Sequence, residues 1–221
     1  MHWVNFPLLT VMTWSGLLIY WAYDPYRIGW GETTLVRFFP DGFYEALGLT
    51  RQLGKGMAFH FFFGWLFAVN GVLYVLYTAF SGEWRDLVPD RHALKESFQV
   101  VLHDLGLRKA LPPQGRYNAA QRVTYSAVVL MGVGMVLSGV AIWKPTSVAW
   151  LAALFGGYQA ARTVHFVLTV LFALFFVVHV AQVVRAGWGT FWSMVVGYTR
   201  ETPAAASPPA PHAAPPHPEQ P

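Results

Sequence analysis

Two histidines, His165 and His179, lie fourteen positions apart in one apolar stretch, and this spacing suits the ligation of two metal cofactors. Fourteen residues is close to four turns of an α-helix, so both imidazoles fall on nearly the same face, about 21 Å apart along the axis. Two haems stacked along one ligand helix need this arrangement. The stretch 163–184 is uncharged and long enough to span a bilayer. An ionisable side chain inside lipid is costly and indicates function.

The composition of the chain is typical of a membrane protein. Its residues are 55% hydrophobic and only 12% charged, whereas a soluble domain carries about 25% charged residues. Four uncharged windows are each long enough to span a membrane as a helix: 1–23, 56–82, 123–143 and 163–184. The shorter stretches 145–161 and 186–199 are expected to be loop or interfacial segments.

These windows predict an all-α fold, a four-transmembrane-helix bundle, over residues 1–200. Residues 201–221 are rich in Pro and Ala and are expected to form a disordered tail. The first window has no basic residues before it and is too long for a signal peptide, so it is predicted to be a retained helix.

Residue usage excludes several kinds of site and partner. The chain has no cysteine, which rules out disulfides, thiolate-held iron–sulfur clusters and covalently attached c-type haem. Any haem would therefore be bound non-covalently. The net charge of +4 comes from basic residues scattered in loops, so it gives no case for nucleic acid binding.

The distribution of Lys and Arg predicts the orientation. Seven of these residues lie in the loop 83–122, and Arg185 and Arg200 follow the fourth window, so nine fall on one side of the membrane and six on the other. The positive-inside rule then places this loop and both termini in the cytoplasm. The expected location is the bacterial inner (plasma) membrane.

Two further histidines complete the pattern on this topology. His2 opens the first helix on the inner side, and His60 lies in the first two turns of the second helix on the outer side. His60 then matches the depth of His165, and His2 matches the depth of His179. Two bis-histidine sites at two depths are predicted, each suited to a haem iron held between facing helices.

Other interpretations of these histidines stay open. Each could be a hydrogen-bonded packing residue, or the set could relay protons in a transporter, although the four windows contain no charged partner. The chain could also be a purely structural anchor subunit. Small residues in the windows could make room for a porphyrin or could mediate helix contacts: Gly16, Gly64, Gly132, Gly134, Ser138 and Gly139.

Polar residues before the third window form a second candidate site. Asn118 and Gln121 could bond a quinone carbonyl, and arginines that border the windows, such as Arg122 and Arg162, could pair with haem propionates. In the alternative interpretation Asn118 is a helix N-cap and Arg116 and Arg122 are membrane anchors. From physical chemistry alone, the helix-start interpretation is favoured.

Several of these features together resemble a known superfamily. They are the opening His2-Trp3-Val4-Asn5-Phe6, His60, the stretch from Arg116-Tyr117-Asn118 to Gln121-Arg122, and the pair His165 and His179. Over roughly residues 1–200 they are similar to the bacterial cytochrome b561 and nickel-hydrogenase cytochrome b group. This group includes the gamma subunit of formate dehydrogenase and the cytochrome b subunit of thiosulfate reductase.

The resemblance implies a membrane subunit with two b haems that passes electrons between a quinone pool and a partner oxidoreductase subunit. The implied ligands are His2, His60, His165 and His179, and the implied quinone pocket lies by the inner haem at Asn118 and Gln121. Four spans resemble the formate dehydrogenase type. The segment 150–158 resembles members associated with a molybdopterin oxidoreductase, which would be periplasmic here.

Overall fold

Four long helices dominate the computed structural model, which describes residues 2–23, 26–30, 33–112 and 117–198. They are α1 (His2–Ala22), α3 (Leu53–Ser81), α6 (Ala119–Trp143) and α8 (Tyr158–Ala186). Within the described part of the chain, these four are the helices that are long and apolar enough to cross a membrane. The predicted number of spans is therefore confirmed, while the expected tail 201–221 lies outside the described residues.

Shorter elements connect or follow the long helices. Between α1 and α3 lie the strands β1 (Arg27–Trp30) and β2 (Thr33–Arg37), which pair antiparallel, and the helix α2 (Asp41–Ala46). The helices α4 (Trp84–Leu87) and α5 (Ala93–Asp104) follow α3. The helices α7 (Ala149–Leu154) and α9 (Trp188–Val196) fall in the two stretches that were predicted not to span.

The long helices extend beyond the uncharged windows at their N-terminal ends. Lys55, Arg122 and Arg162 bordered those windows, yet each lies within the first two turns of α3, α6 or α8. A long basic side chain can lay its methylene stem along apolar surface and keep its charge at the membrane interface, so charge does not end a helix there. The window 163–184 placed His165 at the start of its helix, but the helix begins at Tyr158 and His165 is its eighth residue.

Two compact units make up the chain, Met1–Ala173 and Leu174–Pro221, with their boundary inside α8. The second unit contains the end of α8 and the nine-residue α9. In α9 the ring of Trp188 stacks on those of Phe191 and Trp192, with centroids 5.1 and 6.3 Å apart. Such an aromatic helix suits the membrane interface.

In the first unit, α1 and α3 form a closely packed antiparallel pair. The Asn70 amide nitrogen donates to Asn5 Oδ1 at 2.7 Å, and Ser15 Oγ lies 3.0 Å from His60 Nδ1. The start of α1 therefore lies beside the later part of α3, and the later part of α1 lies beside the start of α3. Between the helices, a Cβ atom on Gly56 would meet the Ser15 carbonyl oxygen at 3.1 Å.

The second pair, α6 with the first part of α8, is also antiparallel. A Cβ on Gly134 would lie 3.0 Å from Leu168 Cδ1, and Ser138 Oγ lies 2.9 Å from His165 Nδ1. Further along, Ala141 and Ala161 are both fully buried in one apolar cluster with residues of α7. Small side chains at such crossings let helix backbones approach in lipid.

Between α7 and α8, a pair of glycines makes the turn that the sequence indicated as a break. Gly156 and Gly157 have φ values of 89° and 103°. Other residues rarely adopt this region because the Cβ atom clashes with the backbone. The glycines therefore end α7 and allow α8 to begin at Tyr158.

Aromatic side chains at the end of α1 and in the segment after it pack beside His165. The ring of Phe166 stacks on Tyr26 at 4.4 Å and on Tyr20 at 5.3 Å between centroids. Behind them, Leu18, Tyr44 and Leu49 form a buried cluster. These contacts attach the segment between α1 and α3 to the helices that carry the histidines.

Candidate haem site

His60 and His165 face each other across the first unit. Each is the eighth residue of its helix, α3 or α8, which places both two turns from a helix start. Their ring centroids are 6.2 Å apart and the ring planes make an angle of 68°. The structure therefore brings together the pair that the sequence placed at equal depth.

The distance between the two rings fits ligation of one metal ion from opposite sides. A bond between a metal and an imidazole nitrogen is about 2.0–2.1 Å, so two imidazoles bound to opposite sides of one ion would have centroids about 6 Å apart. Across the described residues, no group of three or more His, Cys, Asp or Glu could hold an ion. Two imidazoles therefore need a cofactor that supplies the remaining ligands, as a porphyrin does.

Serine side chains are hydrogen-bonded to both imidazoles through the Nδ1 atoms. Ser15 Oγ lies 3.0 Å from His60 Nδ1, and Ser138 Oγ lies 2.9 Å from His165 Nδ1. Both serines have no exposed surface. With Nδ1 engaged in each ring, Nε2 is the nitrogen that remains for a metal.

A glycine follows each of these serines and lies against the same imidazole. A Cβ atom on Gly16 would be 3.5 Å from His60 Cε1, and one on Gly139 would be 3.3 Å from His165 Cε1. The second distance is tighter than ordinary van der Waals contact. Glycine at these positions lets each imidazole lie directly against the neighbouring helix.

An apolar cleft lies beside the two histidines. It has about 750 Å³ of empty space, including its open mouth, and both His60 and His165 contribute to its lining. The walls are otherwise apolar or aromatic and include Gly64, Trp65 and Trp143. Cofactor pockets are mostly apolar, with a few polar groups that fix orientation. The lining of this cleft, apolar apart from its two imidazoles, suits a porphyrin ring.

The second predicted pair, His2 and His179, is described only in part. His2 is the first residue of α1, but its side chain is outside the described part of the structure. His179 belongs to the last two turns of α8 and stacks on Phe175, with ring centroids 5.6 Å apart. This pair stays a prediction.

Asn118 and Gln121 form a capping box at the start of α6. The Asn118 side chain accepts a hydrogen bond from the Gln121 backbone N–H at 2.8 Å, and the Gln121 side chain accepts one from the Asn118 N–H at 3.0 Å. This is the helix-start role that the sequence offered as the alternative. It uses the two carbonyl oxygens and leaves the two amide NH2 groups outside the box.

Arg122 has protein partners at the same end of α6. Its guanidinium donates to Asp90 Oδ2 at 2.9 Å and to the Val88 carbonyl at 2.6 Å. These bonds attach the segment between α4 and α5 to α6. Arg116, the other arginine of this stretch, is outside the described residues.

Arg162 lies three residues before His165, among aromatic rings. Its guanidinium carbon is 4.7 Å from the centroid of Tyr23 and 5.7 Å from that of Tyr158. One of its nitrogens also donates to Gln159 Oε1 at 3.3 Å. The side chain is partly exposed, so the guanidinium stays accessible to an anionic group at this end of the site.

Sequence reasoning missed the part that Ser15 plays. Ser138, Gly16 and Gly139 were noted only as small residues, and Ser15 was not singled out. The signal in the sequence is the dipeptide Ser-Gly, which occurs inside α1 and again inside α6, besides a copy, Ser81-Gly82, at the end of α3. Its meaning becomes visible only when the copies in α1 and α6 are each found beside a histidine of the following long helix.

The sequence is also similar to known proteins. The family model described as prokaryotic cytochrome b561 matches residues 1–197. A protein of Azospira oryzae, named "Putative protein-methionine-sulfoxide reductase subunit YedZ1", is 33% identical over 183 residues, which cover 82% of this chain and 85% of that protein. No solved structure matches the chain.

Proposed function

Because the chain belongs to the prokaryotic cytochrome b561 family, whose members are membrane proteins that bind haem b and transfer electrons, we propose that it carries electrons between the quinone pool and a partner oxidoreductase subunit. We propose two b haems per chain, bound by His60 with His165 and by His2 with His179. When bound, haem supplies reversible one-electron transfer. The protein supplies ligands, an apolar surround and a route across the membrane.

The observation that carries this proposal is the pairing of His60 with His165. Their centroid separation of 6.2 Å suits two axial ligands of one iron, and their Nδ1 atoms are already hydrogen-bonded to serines. A pair of packing histidines would need neither this separation nor matched depths. The apolar cleft beside them would exclude water from the macrocycle and so influence its potential.

The second haem is supported by the spacing on α8. His179 lies fourteen residues after His165 on one continuous helix, which corresponds to about 21 Å of helical rise. Phe175, stacked on His179, would hold the imidazole in one orientation. The helix-opening His2 would supply the opposite ligand.

Quinone binding is proposed at the start of α6, where Asn118 and Gln121 lie. A quinone carbonyl accepts hydrogen bonds, and the amide NH2 groups that the capping box leaves unused are donors. Arg122 is engaged with Asp90 and Val88, so its proposed contribution is to hold this surface in place. Arg162, near the other haem, is the proposed partner of a propionate.

The partner is proposed to dock at the end of the molecule that carries His60 and His165. The segment 24–55 and the segment 144–162 lie in the two loops that would face the outer side of the bacterial inner membrane, with both termini cytoplasmic. The Azospira oryzae relative is named as a reductase subunit, which supports a catalytic oxidoreductase as partner. A periplasmic molybdopterin enzyme is the partner type that we propose.

Haem content and the reduced optical spectrum of the purified protein test the proposal. Pyridine haemochrome analysis should approach two haem b per chain, and dithionite should produce the split α-band of two b haems. A content of one would remove the His2–His179 site from the proposal. A colourless protein would contradict electron transfer by this chain.

A further inference from the structure

The two Ser-Gly pairs occupy equivalent places in two antiparallel helix pairs. Ser15-Gly16 lies in α1 and contacts His60 of α3, whereas Ser138-Gly139 lies in α6 and contacts His165 of α8. In both cases serine meets Nδ1 and glycine meets Cε1 of the same ring. Each helix pair therefore presents one imidazole in the same way, and the two imidazoles face each other.

The hydrogen-bond partners of the two serines indicate which atom donates. The Ser15 hydroxyl also lies 3.1 Å from the Met12 carbonyl, and the Ser138 hydroxyl lies 2.6 Å from the Gly134 carbonyl. A carbonyl can only accept, so the single hydroxyl hydrogen of each serine is directed to the backbone. The serine oxygen is then free to accept from the imidazole, and a backbone carbonyl, that of Met12 for His60 and of Met135 for His165, is a further acceptor for the same ring. Both partners favour a hydrogen on Nδ1.

This arrangement fixes the tautomer that a metal ligand needs. A neutral imidazole with its hydrogen on Nδ1 has its lone pair on Nε2. Metal-binding histidines usually donate their other N–H to a protein acceptor, which orients the ring and raises its basicity. A buried serine oxygen is a weaker acceptor than a carboxylate, so the imidazole is held without acquiring strong anionic character.

We propose that Ser15 and Ser138 are positioning residues for the two axial ligands of the haem held by His60 and His165. Together with Gly16 and Gly139, they set the tautomer of both rings and the angle of 68° between the ring planes. The inference rests on the proposed function, since it concerns the haem at this site. Both serines would act through the histidines and not as ligands themselves.

The angle between axial imidazole planes and the strength of the Nδ1 hydrogen bond have separate readouts. The angle determines the g-values of the oxidised low-spin haem in electron paramagnetic resonance. The hydrogen bond strengthens the imidazole as a donor and so stabilises oxidised iron. Removing the bond should therefore shift the midpoint potential of this haem to a more positive value.

The experiment compares Ser15→Ala and Ser138→Ala with Ser138→Thr, which keeps a hydroxyl, and with Thr169→Val. Thr169 is a matched control because its hydroxyl donates to the backbone carbonyl of His165 at 2.9 Å and not to the imidazole. The g-values and the potential are measured for the haem whose spectral component is lost in His60→Ala. We expect each alanine variant to keep that haem, shift its g-values and raise its potential, and Thr169→Val to leave both unchanged.

The outcomes separate this inference from the function on which it rests. If the wild-type protein binds haem and both alanine variants match Thr169→Val in g-values and potential, the serines only pack against the histidines and the inference fails. If Ser138→Thr fails to restore the wild-type g-values while retaining haem, the hydroxyl is not the positioning group. If the wild-type protein binds no haem, the proposed function itself fails.

Discussion

A Cβ atom built on Gly56 would lie 2.8 Å from the Cβ of Leu18, so α1 and α3 meet at a separation that only glycine allows. Leu18 is fully buried, and the Ser15 carbonyl lies close to the same position. This contact is one helical turn from His60 on α3 and one turn from Ser15 on α1. The geometry of the histidine therefore depends on a tight helix crossing.

Gly56→Ala should destabilise the protein because the added methyl group forces the two helices apart. Overpacking of this kind costs about 1–3 kcal/mol. Gly71→Ala is the matched control, because Gly71 lies in the same helix and a Cβ there would meet nothing within 4 Å. Alanine favours a helix over glycine by about 1 kcal/mol, so this control should be neutral or stabilising. Thermal unfolding in detergent measures both, and equal melting temperatures would contradict the close contact.

Single histidine variants should reveal the pairing of the ligands. His60→Ala and His165→Ala should each remove the same haem, because the two rings face each other at 6.2 Å. His179→Ala should remove the other haem and leave the first. Optical spectra of the reduced variants measure this. Loss of one common component in His60→Ala and His179→Ala would show that the predicted pairing is wrong.

The proposed quinone contact can be separated from the helix cap by choosing the substitution. Asn118→Asp with Gln121→Glu keeps both oxygens that close the capping box and removes both amide NH2 groups. Loss of one hydrogen bond should weaken quinone binding by about 1 kcal/mol, or about fivefold. Haem reduction by quinol, measured by stopped flow, should slow while both haems stay bound.

Asn118→Leu with Gln121→Leu is the comparison for that experiment. It removes the amide groups and the capping box together, and loss of an N-cap costs about 0.5–2 kcal/mol of stability. Both double variants should therefore be slow with quinol, but only the leucine variant should unfold more easily. Unchanged quinol kinetics in both would leave these residues with a structural role alone.

Asp90 should make the attachment of the segment between α4 and α5 sensitive to acid. The His92 backbone N–H and the Arg122 guanidinium hold the pKa of this carboxyl below its usual value of 3.8. A group with a lowered folded-state pKa stabilises the fold above its unfolded-state pKa, and this stabilisation is lost as the pH falls through the folded-state value. Protection from hydrogen exchange around Leu87, relative to the intrinsic rate at each pH, should therefore fall below about pH 4. Asp90→Asn should remove this acid dependence and weaken the bond to Arg122 at neutral pH.

The sequence predicted the pairing of His60 with His165 because helical rise alone sets the depth of a side chain in a span. It offered two roles for Asn118 and favoured the helix cap on physical grounds, and the structure shows the capping role. It could not assign Ser15, because a serine in a membrane helix usually bonds its own backbone and nothing local distinguishes one that also meets a distant ring. The strands Arg27–Trp30 and Thr33–Arg37 were also missed, since they are short and follow no clear alternation.

The matching antiparallel pairs, α1 with α3 and α6 with α8, have a consequence for biogenesis. Each pair has close contacts of its own at glycines, and each carries one serine-bound imidazole. A helical hairpin of this kind can enter the bilayer as a unit, before its ligand has a counterpart. Because Phe61 and Trp65 of α3 also pack on Trp143 of α6, protein contacts already bring the two imidazoles face to face. Cofactor capture would then act on a site that the fold has assembled beforehand.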